Sequence, residues 1–62
     1  MRFSVKFGVD REVDIEMQLI ATSHLNAFAH AQAAITAMRE KGESSWDPEQ
    51  PGATISIKLI EP

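Results

Sequence analysis

Apolar and polar residues alternate in three segments of the chain. In residues 2–7 the apolar positions are Phe3, Val5 and Phe7, and residues 12–20 and 53–60 repeat the same period. A period of two is typical of a β-strand with one buried and one solvent-exposed face. The short GVDR segment between the first two strands predicts a hairpin over residues 2–21.

The numbering of these positions limits the geometry of the hairpin. The inward residues of both strands have odd numbers, so residues that face each other differ by an even number. This predicts an odd loop of about three or five residues and excludes a two-residue turn. Phe7 then faces either Val13 or Ile15, and the sequence leaves both registers open.

Residues 23–41 predict a helix. Thr22 or Ser23 can cap its start, and Gly42 is typical of the residue that follows a helix end. At about 100° per residue, five side chains fall in one stripe that we expect to pack on the sheet. They are Leu25, Phe28, Ala31, Ile35 and Met38.

The order of these elements predicts the fold class. Residues 42–52, which are rich in Gly, Pro and Ser, predict a loop, and residues 53–60 predict the last strand. A crossover through the helix makes the last strand parallel to the second, so it can lie beside the first. We therefore expect a single domain over residues 1–62, of the two-layer α+β class β-β-α-β. Its three-stranded sheet has the spatial order 2-1-3, with one helix packed on one face.

The length and composition limit how such a fold is stabilised. The chain has 62 residues and no cysteine, and chains of this size bury only roughly 60% of their unfolded surface. His24 and His30 lie about 240° apart on a helix, so they cannot bind one metal ion together. Neither histidine has an evident nucleophile and orienting group, which predicts no catalytic residue. We expect no metal and no cofactor, and self-association as the remaining support.

The charge and the hydropathy of the chain limit its possible partners and its location in the cell. The formal net charge of −3 argues against a nucleic-acid partner, because phosphates are bound by clustered Lys and Arg. No apolar run approaches the roughly 18 residues of a membrane span, and the segment MRFSVKF lacks the apolar core of a signal sequence. These features predict a cytoplasmic protein with no membrane partner.

The outer side of the predicted helix carries small side chains. Ala29, Ala33 and Ala37 are spaced by four residues and form a row, with His30 beside it. Small residues at this spacing let another helix approach closely. Alanine is also the strongest helix former on a solvent-exposed face, so the sequence leaves both interpretations open.

Three larger residues are further candidates for an interface. Ile20 and Ile60 fall on the otherwise polar side of the sheet, next to its open edges. Trp46 is the single tryptophan and lies in the predicted loop. It is either an exposed interface anchor, as is typical of tryptophan at binding hot spots, or a cover for one end of the core.

Three acidic residues alternate along the second strand. The pattern places Glu12, Asp14 and Glu16 on one outer face. This acidic face could bind a cation or a basic partner, or it could be an ordinary solvated surface.

Two hypotheses for the function follow. The first is a small non-enzymatic protein–protein interaction module that forms a homodimer through a strand edge, the alanine row or both. The alternative is an acidic inhibitor or regulator that binds a basic surface on another macromolecule, such as a nucleic-acid enzyme.

Overall fold

The computed structural model describes residues 1–62 as three strands and one helix. Strand β1 spans Arg2–Val9, β2 spans Glu12–Ile20, helix α1 spans His24–Glu40 and β3 spans Ala53–Glu61. The strands form one sheet in the order β2-β1-β3, and β1 pairs antiparallel with both neighbours. Helix α1 packs on one face of this open sheet. The predicted α+β class and the strand order 2-1-3 are therefore confirmed.

The hairpin between β1 and β2 contains a two-residue turn, which the prediction from the sequence had excluded. Only Asp10 and Arg11 separate the two strands. A β-bulge adds one extra residue to β2, because Phe7 faces Ile15 whereas the adjacent Gly8 faces Val13. With this extra residue, the inward positions of both strands match across a two-residue turn. The exclusion of a two-residue turn was wrong, since it assumed an uninterrupted alternation along β2.

The bulge also moves Val13 to the other face of the sheet. Val13 now shares the face of Gly8, away from α1, and its exposed fraction is 56%. Gly8 is required at this point, because a Cβ atom there would lie 2.1 Å from the carbonyl oxygen of Glu12. The expectation that Val13 belongs to the inward set was therefore wrong.

The ends of helix α1 have the predicted capping groups. The side chain of Ser23 accepts a hydrogen bond from the backbone N–H of Asn26 at 3.0 Å. Gly42 has a φ of +75°, and the N–H of Glu43 donates back to the carbonyl of Met38 at 2.8 Å. This arrangement is typical of helices that end on a left-handed glycine.

The buried stripe of α1 differs from the predicted one. Ala27, Ala31 and Ile35 are its buried residues, and the exposed fraction of Leu25 is 78%. Small alanines suit this face because β1 supplies bulky side chains opposite them, namely Phe3, Val5 and Phe7. Part of the alanine-rich character of α1 therefore serves its own core.

The core is confined to the centre of the sheet. Ten of the 62 residues are buried, and most of the large ones lie on β1. The inward side chains of the edge strands are only half-buried. They are Ile15, Met17 and Leu19 on β2, and Ile55 and Ile57 on β3. One helix is therefore too narrow to cover the inner face of three strands.

Candidate interaction surfaces

Trp46 lies inside the core of its own chain. Its exposed fraction is 2%, and its indole Nε1–H donates a hydrogen bond to the carbonyl oxygen of Gly8 at 2.7 Å. The indole also meets the ring of Phe7 edge to face, with 4.9 Å between the ring centroids. The interpretation of Trp46 as an exposed interface anchor was therefore wrong, and the indole covers one end of the core instead.

Trp46 belongs to one end of the molecule, which we call the loop end. It comprises the hairpin turn, the C-terminal end of α1 and the loop 41–52. The two turns contact each other, since the N–H of Asp10 donates to the carbonyl of Gly52 at 2.8 Å. Gly52 has a φ of +79°, and a Cβ atom there would lie 2.3 Å from a carboxylate oxygen of Asp10. The loop end is thus fixed by backbone contacts as well as by Trp46.

The opposite end exposes apolar side chains. There β1 begins, β2 and β3 end, and α1 starts. Five of the six large apolar residues with high exposure lie at this apolar end. They are Met1, Ile20, Leu25, Leu59 and Ile60.

Two of these residues, Ile20 and Ile60, were candidates from the sequence. Ile20 faces Arg2 on the outer side of the sheet and has an exposed fraction of 70%. Ile60 lies in a second bulge, because Phe3 faces Leu59 whereas Arg2 faces Glu61. The side chains of Arg2 and Glu61 form an ion pair next to it. The exposure of both isoleucines leaves them available for contact.

The alanine row lies on the solvent side of α1. All three of its residues, Ala29, Ala33 and Ala37, are exposed. Leu25 extends the row by one further step of four residues. The prediction that Leu25 packs on the sheet was wrong, although its spacing of four residues from Ala29 was a signal of a surface position. His30 is exposed as well, with its Nε2 atom 3.4 Å from the side-chain nitrogen of Asn26.

A shallow groove of about 590 Å³ runs between α1 and the loop end. Ala33 and Thr36 line its helix side, and Trp46 and Pro48 line its loop side. The groove is bordered by an ion pair between Arg39 and Asp47, with 3.9 Å between nitrogen and oxygen. Its lining is mixed in polarity and offers no convergent set of catalytic groups.

The three acidic residues of β2 do not form one regular face. Glu16 lies opposite Lys6 and accepts a hydrogen bond from the hydroxyl of Ser4 at 2.8 Å. Asp14 is the bulge residue without a partner on β1, and Glu12 is paired with Val9. The predicted alternation is therefore wrong at the bulge, and the acidic-regulator hypothesis loses one of the features that motivated it, the regular acidic face of β2.

The two histidines lie apart and have different environments. His24 contacts Phe3 edge to face at the start of α1, with 4.8 Å between the ring centroids. No three metal-ligating side chains come together anywhere in the structure. Neither imidazole has a serine or threonine hydroxyl as a hydrogen-bond partner.

The two free edges of the sheet differ in charge. β2 forms one edge and β3 the other, since β1 occupies the centre. β2 carries the three carboxylates and no cation, whereas β3 carries Lys58 and Glu61. Before the bulge at Ile60, the remaining outward side chains of β3 are the small polar groups of Thr54 and Ser56.

Comparison with known proteins gives no relative for this chain. No protein-family model matches it, and neither a curated protein nor a solved structure is significantly similar to it. The single helix also lacks the combination of length and hydrophobicity needed to cross a membrane.

Proposed function

We propose that this chain is a non-enzymatic protein–protein interaction module that associates with itself. The observation that carries the proposal is the mismatch between its small core and its exposed apolar surface. Ten residues are buried, while six large apolar side chains are exposed. A domain of this size without cysteine gains most from covering such surface with a second chain.

Open strand edges support the same proposal. Both β2 and β3 present unpaired backbone groups along one side, which are a ready template for pairing with another chain. The alanine row and Leu25 offer a second surface that a helix could approach closely.

Sedimentation equilibrium over a wide range of protein concentrations tests this proposal. We expect the weight-average mass to rise from that of the 6.9 kDa chain to twice that value and then to stay constant. A mass that remains at the monomer value at every concentration would contradict it.

A further inference from the structure

We propose that the dimer forms by antiparallel pairing of the free β3 edge with the same edge of a second copy. This inference rests on the proposed self-association and assigns it to one surface. The result is a continuous six-stranded sheet in the order β2-β1-β3-β3-β1-β2. A two-fold axis perpendicular to the sheet relates the copies, so the assembly is closed and both helices lie on the same face.

Charge decides between the two edges. Self-pairing of β2 would bring Glu12, Asp14 and Glu16 of both copies along one seam, without a cation on either strand. Self-pairing of β3 over its regular stretch, residues 53–59, brings together strands that each carry a single charge, that of Lys58. Pairing of β2 with β3 of another copy would bring opposite charges together. Each copy would however keep a free β2 or β3 edge, so the assembly would not close and would grow into an open fibre.

The bulges restrict the register. β3 pairs regularly with β1 from Ala53 to Leu59, and the bulge at Ile60 interrupts the strand beyond that point. Full overlap of this regular stretch with its copy places Ser56 against Ser56 of the second copy. Thr54 then faces Lys58 of the second copy, and no like charges lie opposite each other.

The inner face of β3 supports the same pairing. In this register Ile55 faces Ile57 of the second copy, and both side chains are half-buried in the single chain. Leu59, whose exposed fraction is 38%, comes to lie against Ala53 of the second copy. The pairing thus joins two uncovered apolar strips into one, between the two helices.

Substitutions of Thr54 test the register directly. Thr54 is exposed and faces Gly8 within its own chain, so a charge placed there meets no charged residue directly opposite. In the dimer, T54E sets a new carboxylate against Lys58 at two symmetric positions, whereas T54K sets a second ammonium group against it. We expect T54E to tighten dimerisation about 2- to 30-fold and T54K to weaken it by a similar factor.

Matched variants on the other edge serve as controls. Gln18 is an exposed outward residue of β2, and Q18E and Q18K change the charge by the same amount. Their dimer dissociation constants should equal that of the wild-type chain. The double variant T54K/K58E restores opposite charges across the seam and should recover wild-type dimerisation or better. Circular dichroism verifies that each variant is folded before its mass is measured.

The outcomes separate this inference from the proposed function. A wild-type chain that is monomeric throughout overturns both. A wild-type dimer whose dissociation constant responds equally to T54E and T54K, or not at all, overturns the β3 assignment and leaves self-association standing. Opposite shifts in the Gln18 pair would place the seam on β2, and a mass that grows beyond the dimer would indicate open pairing of β2 with β3. Either result overturns the inference.

Discussion

The loop end and the apolar end of this molecule use their large side chains in opposite ways. At the loop end, Trp46 is buried, satisfied by the carbonyl of Gly8 and packed edge to face against Phe7. At the apolar end, Ile20 and Leu25 are among the most exposed large apolar residues of the chain. The chain therefore covers the core with its own indole at the loop end, whereas large apolar side chains stay exposed to solvent at the apolar end.

Charge follows the same division. The loop end and the adjacent start of β2 together carry seven of the nine carboxylates and three of the six Lys and Arg residues. The apolar end retains a single carboxylate, Glu61, which is paired with Arg2. Like charges repel, so two loop ends make poor partners, whereas the apolar end has no such barrier. The proposed antiparallel β3 seam agrees with this difference, because it places each loop end beside the apolar end of the second copy and keeps the two loop ends apart.

The largest expected effect comes from removing the indole that closes the loop end. We expect W46A to lower the free energy of unfolding by about 3–5 kcal/mol, because it loses a buried aromatic side chain and leaves the Gly8 carbonyl without its donor. The total free energy of unfolding of a chain of this length is only about 3–9 kcal/mol. Urea unfolding followed by circular dichroism measures the change.

The conservative variant W46F separates packing from hydrogen bonding. It keeps an aromatic ring near Phe7 and removes the donor to Gly8. We expect a loss of about 1–3 kcal/mol, the cost of one buried unsatisfied acceptor. If W46A were no less stable than W46F, the closure of the loop end would not depend on packing.

An intermediate effect is expected at the bulge next to this closure. G8A would place a Cβ atom 2.1 Å from the carbonyl oxygen of Glu12, so the backbone around the bulge must move. We expect a loss of about 1–3 kcal/mol, as for other overpacked sites. Thermal unfolding of G8A, compared with that of the wild-type chain, measures it.

The matched control is another glycine with free space around it. Gly42 has a positive φ, but a Cβ atom added there would have no neighbouring atom within 4 Å, so G42A tests backbone strain alone. Because Gly8 does not have a positive φ, a loss in G8A below about 0.5 kcal/mol would show that the contact with Glu12 does not require glycine at the bulge.

These two sites also show where the sequence was informative and where it was not. The alternation in β1 and β3 and the capping residues of α1 were sufficient to predict the fold, because each reports on local backbone geometry. The bulge at Asp14 was missed because a one-residue insertion leaves the apparent alternation of β2 intact in the sequence. Its consequence is that Val13 changed faces and that Glu12, Asp14 and Glu16 do not form one regular row.

The candidate surfaces were only partly predictable for a related reason. The solvent-side position of the alanine row follows from helical spacing, yet the orientation of the helix depends on tertiary packing. The bulk of the β1 side chains favours Ala27 and Ala31 beneath the helix, which rotates Leu25 outward. Trp46 was ambiguous because the acceptor of its indole, Gly8, lies 38 residues away in sequence.

The smallest effect is expected for a residue that sequence periodicity assigned to the core. L25A should change the free energy of unfolding by less than about 0.5 kcal/mol, because the side chain is 78% exposed and alanine is the better helix former. In contrast, I35A removes a buried side chain from the same helix and should cost about 2–5 kcal/mol. Urea unfolding of both variants, at a concentration where the chain is monomeric, makes the comparison. A loss in L25A that approaches the loss in I35A would mean that the apolar end packs within its own chain, and the contrast between the two ends would disappear.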